Sequence, residues 1–225
     1  MFVNSYKKSL EVILKKPFTL WGLSLMSGLI SFLALIFFGL IPAIFIAVGY
    51  LLTCGMAKIY LDGLVENPVY SDQLFCGFNK NCFRIAGGMA WKDLWILIWA
   101  LIPIAGPFIA IVKSYSYRFV PYILVTCPDV KATEALRISK QQTQGMKMEM
   151  FLADLCFGVA IGLACLVLTI FSSIPIIGIL FALVYFVFVL LVAVLSPIFQ
   201  GLYRAYFFAA KTATAAPETA MPYIQ

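Results

Sequence analysis

The residues of this chain that could do chemistry are a few ionisable and phenolic side chains beside a long uncharged stretch. They flank residues 94–112 and are Lys92, Asp93, Lys113, Tyr115, Tyr117 and Arg118. A charge at the centre of a bilayer costs about 2.5–3.5 kcal/mol on insertion scales, so charges there need a reason. These groups could form an ion or proton path, or bind an anionic lipid headgroup through their excess of cations. A structural ion pair, with long basic side chains reaching back to the interface, explains the same residues more simply.

The sequence offers few residues or motifs that could catalyse a reaction. The chain contains no histidine, which removes the commonest general base and metal ligand. Neither G-x-S-x-G nor H-E-x-x-H occurs, and the six cysteines form no C-x-x-C pair. The sequence therefore predicts a protein that is not an enzyme and that has no metal site and no cofactor.

Three runs without any charged residue must position these groups. They cover 17–57, 94–112 and 155–203, and an Ile-Pro step with glycine nearby interrupts each of them. A bilayer-crossing helix needs about 20 apolar residues, so the first and third runs are each long enough to cross twice. The composition is 63% hydrophobic and 12% charged, which excludes an ordinary water-soluble domain. The pattern predicts three membrane hairpins in series.

The predicted fold is an all-α integral membrane protein with a single transmembrane domain over 1–210. Its six spanning helices are expected at about 18–38, 43–62, 84–102, 107–126, 149–171 and 178–209. Short amphipathic helices are expected at 2–16 and 72–83, lying in the membrane interface, and at 130–144, connecting helices in the cytoplasm. The tail 211–225, rich in Ala, Thr and Pro, is predicted to be disordered and cytoplasmic.

The middle hairpin has a competing interpretation. If 94–112 were a single crossing, the basic residues from Lys113 to Lys147 would lie outside the cell, against the positive-inside rule. A hairpin turning at Pro103 avoids this, either as a full crossing or as a re-entrant loop. All sixteen Lys and Arg then lie on the cytoplasmic side, with both termini. The net charge of +6 is thus explained by anionic headgroups on the cytoplasmic side of a plasma membrane, and nucleic acid is not expected as a partner.

A second set of residues is expected to be structural or to dock a partner. It comprises Glu134, Ser139, Lys140, Gly145, Lys147 and Asp154. Gly145 can close the connecting helix, and Asp154 can pair with Lys147 or Arg204. For the connector we favour a role in clamping the inner ends of the hairpins over ligand binding. Gly158 and Gly162 have the spacing of close helix packing, expected here inside the monomer.

One segment carries a family resemblance. Residues 115–151 contain P-Y-I-L, E-A-L-R-I-S-K and G-M-K-M-E-M-F. They resemble a family of uncharacterised bacterial polytopic membrane proteins, common in Firmicutes, with the pattern P-Y-I-L, E-A-x-x-x-S-[KR] and G-x-K-x-x-x-F. The likeness extends weakly over 70–208, and a distant one links the family to the membrane domain of glycerophosphodiester phosphodiesterases. It implies a helical membrane fold and a location, and it brings no activity. Residues 157–160 depart from the family pattern, which has Phe-Ile-Gly-Trp there.

Two kinds of function remain open from the sequence. The first is a non-enzymatic protein that binds membrane lipid or another amphiphile, or that serves as a scaffold or subunit for another membrane protein. The second is a small transporter or channel subunit. Interrupted helices near charges suit the second, but a dedicated pathway usually has more polar lining residues than the sequence reveals.

Overall fold

The computed structural model describes residues 2–38, 42–79, 81–174 and 178–214. This part of the chain is mainly helical and contains no strand. Its elements are α1 (Phe2–Lys15), α2 (Pro17–Phe38), α3 (Pro42–Leu64), a 3₁₀ helix (Ser71–Phe78), α4 (Cys82–Ala100), α5 (Gly106–Ser116), α6 (Val120–Thr126), α7 (Ala132–Gln142), α8 (Lys147–Ser172) and α9 (Gly178–Thr214). The all-helical class predicted from the sequence is therefore confirmed.

Two predicted boundaries need correction. The helix expected at 107–126 is divided into α5 and α6 by a turn at 117–119. The tail expected to be disordered from 211 is helical as far as Thr214, the last residue of α9. The remaining tail residues lie outside the described part, as do residues 39–41 and 175–177 of the turns predicted at 39–42 and 172–178.

Five helical segments are long and apolar enough to cross a membrane. They are Pro17–Phe37, Pro42–Leu64, Gly106–Thr126, Lys147–Ser172 and Gly178–Ala213. The helix α4 is not among them, because Arg84, Lys92 and Asp93 lie within its 19 residues. In the described part of the chain α2 contacts α3, α4 contacts α5, and α8 contacts α9.

The buried core lies at one end of the long helices. It is built from residues 51–64 of α3, 119–124 around α6 and 198–208 of α9, with Leu74 of the 3₁₀ helix. In contrast, large apolar side chains along 94–112 and 155–191 are exposed. An apolar surface of that extent is typical of a face that contacts a membrane or a partner, and it is compatible with a lipid environment. The helices therefore share a protein core at one end and present lipid-compatible surfaces over the rest of their length.

Glycines allow the closest contacts in this core. A Cβ added at Gly55 of α3 would lie 2.0 Å from the backbone oxygen of Leu74, and one at Gly201 of α9 would lie 2.0 Å from the Tyr60 ring. The 3₁₀ helix and α9 thus both lie directly on α3. The expectation that Gly158 and Gly162 pack inside the monomer is wrong, because an added Cβ at either position meets no atom within 4 Å.

The amphipathic helix α1 has one charged side and packs with another side against other helices of the protein. Ser5 and Ser9 are completely buried, and α1 contacts α9. The hydroxyl of Tyr6 donates to the Ala153 carbonyl of α8, and burial raises the pKa of this hydroxyl to about 12. Lys15 pairs with Glu66 at 2.8 Å, which ties the end of α1 to the segment after α3.

Candidate functional site

A cavity of about 640 Å³ lies between α2, α3, α4, the α5–α6 turn and α9. This volume is in the range of small-molecule sites, roughly 300–1,000 Å³. We call it the central cavity. Its polar lining residues are Ser24, Ser27, Ser31, Thr53, Tyr60, Lys92, Asp93, Ser114, Tyr117, Arg118, Tyr122, Gln200 and Arg204. A polar cavity between membrane-length apolar helices is the candidate site of this protein.

A serine stripe on α2 forms one wall of the central cavity. Ser24, Ser27 and Ser31 recur at helical spacing on the same side, with Gly28 between them. The Ser31 hydroxyl donates to the Ser27 carbonyl at 2.9 Å, so it remains satisfied without water. These serines were not predicted as site residues from the sequence. Their helical spacing is visible in the sequence, but three serines are too few to lower the hydropathy of α2 below that of a spanning helix.

Lys92 and Asp93 bring charge to the wall formed by α4. Their side chains form an ion pair of 3.2 Å with each other, and they are 18% and 42% exposed. Tyr50 of α3 interacts with the Asp93 carboxylate. Lys92 therefore reaches the cavity as a cation whose only ion-pair partner among the described residues is a half-exposed carboxylate.

A second charged group, formed by Arg118, Asp154 and Arg204, joins three different helical elements. The Arg118 guanidinium contacts the Asp154 carboxylate at 2.5 Å, and Arg204 approaches the same carboxylate at 3.8 Å. Tyr115 donates its hydroxyl to Asp154 at 2.9 Å. Arg204 also donates to Gln200 at 2.6 Å. Asp154 of α8 thus orients two arginines that line the central cavity.

The break between α5 and α6 places Arg118 at the cavity. Pro121 at the start of α6 has no N–H to donate to the preceding turn, which favours a kink or a break there. Ser139 of α7 satisfies the backbone groups that the break leaves free: its hydroxyl donates to the Ser116 carbonyl at 2.9 Å and accepts from the Phe119 N–H at 3.2 Å. Thr143 donates to the same carbonyl at 3.3 Å. The connector α7 therefore holds the turn that carries Arg118.

Arg84 stabilises the other end of α6. Its guanidinium donates to the carbonyls of Leu124 at 2.6 Å, Val130 at 2.7 Å and Cys127 at 3.3 Å. A guanidinium at a helix C-terminus satisfies free carbonyls and interacts favourably with the helix dipole. The start of α4 and the end of α6 are therefore joined, and the sequence pattern gave no sign of this pairing.

The structure separates the six predicted ligand candidates into two groups. Lys92, Asp93, Tyr117 and Arg118 line the central cavity. Lys113 and Tyr115 do not: the Lys113 ammonium lies 4.7 Å from the centre of the Trp99 ring, and Tyr115 supports Asp154 from outside. Lys92, Asp93 and Arg118 therefore face one cavity as expected, although Arg118 forms its ion pair with Asp154 and Lys113 lies outside the cavity.

The predicted structural candidates occupy several places. Ser139 donates a hydrogen bond to the backbone at the α5–α6 turn. Asp154 contacts Arg204, which was one of the two partners expected for it. Glu134 pairs with Arg137 at 3.3 Å on the exposed side of α7. Gly145 has a φ of +82°, which allows the turn from α7 to α8. Lys140 is exposed, and Lys147, half-buried at the start of α8, lies with it near Lys113.

The charges at the cavity leave it cationic. Lys92, Arg118 and Arg204 face two carboxylates, Asp93 and Asp154, which leaves one net positive charge. Fixed guanidinium groups favour phosphate and carboxylate ligands because they donate several hydrogen bonds in one plane. Among the described residues, no group of three or more His, Cys, Asp or Glu is placed to hold a metal ion. The arrangement can bind an anion without a metal.

No family model, curated protein or solved structure matches this chain. The resemblance carried by residues 113–151 therefore stays a prediction.

Proposed function

We propose that this chain is a bacterial plasma-membrane protein that binds the anionic headgroup of a membrane amphiphile in its central cavity and catalyses no reaction. The observation that carries the proposal is the net positive charge of a roughly 640 Å³ cavity between helices of membrane length. Such a charge needs compensation where water is scarce, and a membrane lipid is the most abundant source of anions there.

The proposal includes a topology of six crossings with both termini in the cytoplasm. Five crossings are supported by length and composition, and α4 is added as the sixth because it contacts α5. The distribution of Lys and Arg supports the orientation, since none of them lies in the three uncharged runs, which contain the turns assigned to the outer side. Arg137, 69% exposed on α7, gives a test. The Arg137→Cys variant should react with an impermeant thiol reagent only after the cells are permeabilised, with the unchanged chain as the control for its own cysteines.

Lipid binding can be tested directly on the purified protein. Native mass spectrometry should show retained anionic lipid, and titration in nanodiscs should show preference for anionic over zwitterionic lipid. Removing one charged hydrogen-bond donor costs about 1.5–3 kcal/mol, which corresponds to a loss of affinity of about 10- to 100-fold. We expect that loss for Lys92→Gln and for Arg204→Gln, and none for Lys131→Gln, whose side chain is exposed and does not line the cavity. Equal retention by all three variants would contradict headgroup binding.

The serine stripe favours a second candidate, a small transporter or channel subunit. Ser24, Ser27 and Ser31 extend the polar wall along α2, as a substrate path would require. Transport predicts solute flux in proteoliposomes that is lost in Asp93→Asn. Binding without flux would leave the first proposal as the function.

A further inference from the structure

A second space adjoins the central cavity. It measures about 440 Å³ and lies between α2 and α9. We call it the α2–α9 crevice. Its apolar lining residues are Leu25, Leu29, Phe32, Ala193 and Val194. Leu25, Leu29 and Phe32 are each more than half exposed, so the crevice is open along α2.

The crevice and the central cavity share part of their walls. Ser24, Gly28 and Pro197 line both spaces. Gly28 leaves the junction open, because even an added Cβ there would meet no atom within 4 Å. Pro197 lies inside α9, where it lacks the N–H of a regular helix, and its carbonyl accepts a hydrogen bond from Tyr60. A molecule can therefore occupy both spaces at once.

The chemistry changes from one space to the other. The central cavity presents Lys92, Arg118 and Arg204, whereas the crevice presents aliphatic and aromatic side chains. The cavity lines α2 from Ser24 to Ser31 and the crevice lines it from Ser24 to Phe32, so the two spaces lie side by side over about 12 Å of the helix axis. This is the polarity pattern of a lipid, with an anionic group at one end and a hydrocarbon chain at the other.

We propose that the α2–α9 crevice is a lateral entrance through which an anionic, acyl-chain-bearing lipid enters from the bilayer. Its acyl chain lies against Leu25, Leu29 and Phe32 while its phosphate meets the cavity cations. This inference rests on the proposed headgroup binding and adds the path and the need for a chain. A free anion from water would use the same cations but would gain nothing from the crevice.

Photo-crosslinking on the unmodified protein tests the position of the chain. A phosphatidylglycerol with a photoreactive diazirine in its acyl chain is added to nanodiscs, and adducts are mapped by peptide mass spectrometry. We expect adducts on the crevice residues of α2 and α9 at least tenfold above those on the exposed face of α8. Adducts spread evenly over α8 and the crevice would overturn the inference.

A blocking variant tests the path. Ala193 is exposed in the crevice, so Ala193→Trp should fill it and lower phosphatidylglycerol binding at least tenfold. Ala160→Trp is the matched control, because Ala160 is equally exposed but lies on α8, away from both cavities. Glycerol 3-phosphate, which carries the charge without a chain, should not displace the bound lipid at equal concentration. Displacement by it would identify a site for soluble anions and overturn the lateral entrance.

The outcomes separate this inference from the proposed function. If Lys92→Gln loses lipid while Ala193→Trp keeps it, the entrance is refuted and headgroup binding stands. If neither variant loses lipid, both are refuted. Should Ala193→Trp fail to fold, as judged by its elution and thermal unfolding, the crosslinking of the unmodified chain decides alone.

Discussion

Replacing Asp154 by Asn should lower stability and at the same time strengthen the binding of an anionic ligand. Asp154 accepts hydrogen bonds from Arg118 at 2.5 Å and from Tyr115 at 2.9 Å, with Arg204 at 3.8 Å. Asn keeps the shape of the side chain but removes its charge. Two arginines would then lie close together without their shared carboxylate.

The stability loss follows from the burial of this pair. Arg118 and Asp154 are only 15% and 21% exposed, so solvent screens them little. Removing one partner of a buried ion pair costs about 3–5 kcal/mol, and the flexible arginine side chains can recover part of this, which places the expected loss near 3 kcal/mol. At about 2–4 °C per kcal/mol for a chain of this size, Tm should fall by about 6–12 °C.

The effect on binding has the opposite sign. Removing the carboxylate raises the net charge at the cavity by one, so an anionic lipid should bind more tightly. A tenfold gain in affinity adds about 1.4 kcal/mol of stabilisation at saturating ligand, or about 3–6 °C of additional upward shift in Tm. The assay is thermal unfolding followed by tryptophan fluorescence, with and without phosphatidylglycerol.

Glu134→Gln is the control, because Glu134 pairs with Arg137 on the exposed side of α7 and such a pair contributes about 0–1 kcal/mol. It should change neither Tm nor the lipid shift. The reasoning is refuted if Asp154→Asn unfolds within a degree or two of the unmodified chain. A smaller lipid-induced shift in Asp154→Asn would refute the assignment of the cavity to anions.

Three further predictions test other parts of the fold. Ser139→Ala should lose about 1–3 kcal/mol because the Phe119 N–H loses its acceptor, whereas Ser172→Ala, whose hydroxyl donates to the Thr169 carbonyl within the last turn of α8, should lose almost nothing in the same unfolding assay. Gly55→Ala should lose about 1–3 kcal/mol through the clash with the Leu74 backbone, while Gly158→Ala should be neutral or slightly stabilising. Hydrogen bonds from Lys15 hold the pKa values of Glu66 and Glu11 below their ordinary range. The stabilisation from these two carboxylates is therefore present above the pKa that they have in the unfolded chain. It is lost as the pH falls through their lowered pKa in the folded chain. Amide hydrogen exchange in α1, corrected for its intrinsic rate, should accordingly accelerate below about pH 4. Glu66→Gln should show that loosening already at pH 7, and unchanged exchange would contradict the role of the Lys15 contact.

The positions of the helices could be predicted because they depend on local patterns. Uncharged runs interrupted by Ile-Pro steps gave the positions of α2, α3, α8 and α9, and the periodicity of 2–16 and 130–144 gave α1 and α7. The division of α5 from α6 was missed although Pro121 was visible. A proline alone does not decide between a kink and a break. Here the break is stabilised by Ser139, which lies 20 residues from Phe119, and no local pattern encodes that contact.

The charged site was predicted only in part, because it also depends on contacts between residues that are distant in the sequence. Arg118 and Asp93 were recognised because charges beside apolar runs are conspicuous, but no local pattern identifies their partners. Arg118 contacts Asp154, 36 residues away on α8. Arg204 and Gln200 on α9 complete the cavity wall from the other end of the chain. Such a set is defined only when all the helices share one core.

The position of the charges bears on the choice between the two proposed functions. The sequence argued against a pathway because polar lining residues were scarce, and the serine stripe weakens that argument. However, the cations of the cavity lie beside the buried core that the helices share at one end, next to Met89, Tyr117 and Tyr203. A path across the bilayer would need ionisable or polar groups along its whole length, whereas a headgroup site needs them only near one leaflet. The described α8 and α9 residues beyond this end, 155–174 and 178–196, carry no charged side chain and expose mainly apolar ones. This distribution favours a lipid held by its headgroup over an ion in transit, because the charge that would bind either is confined to one end.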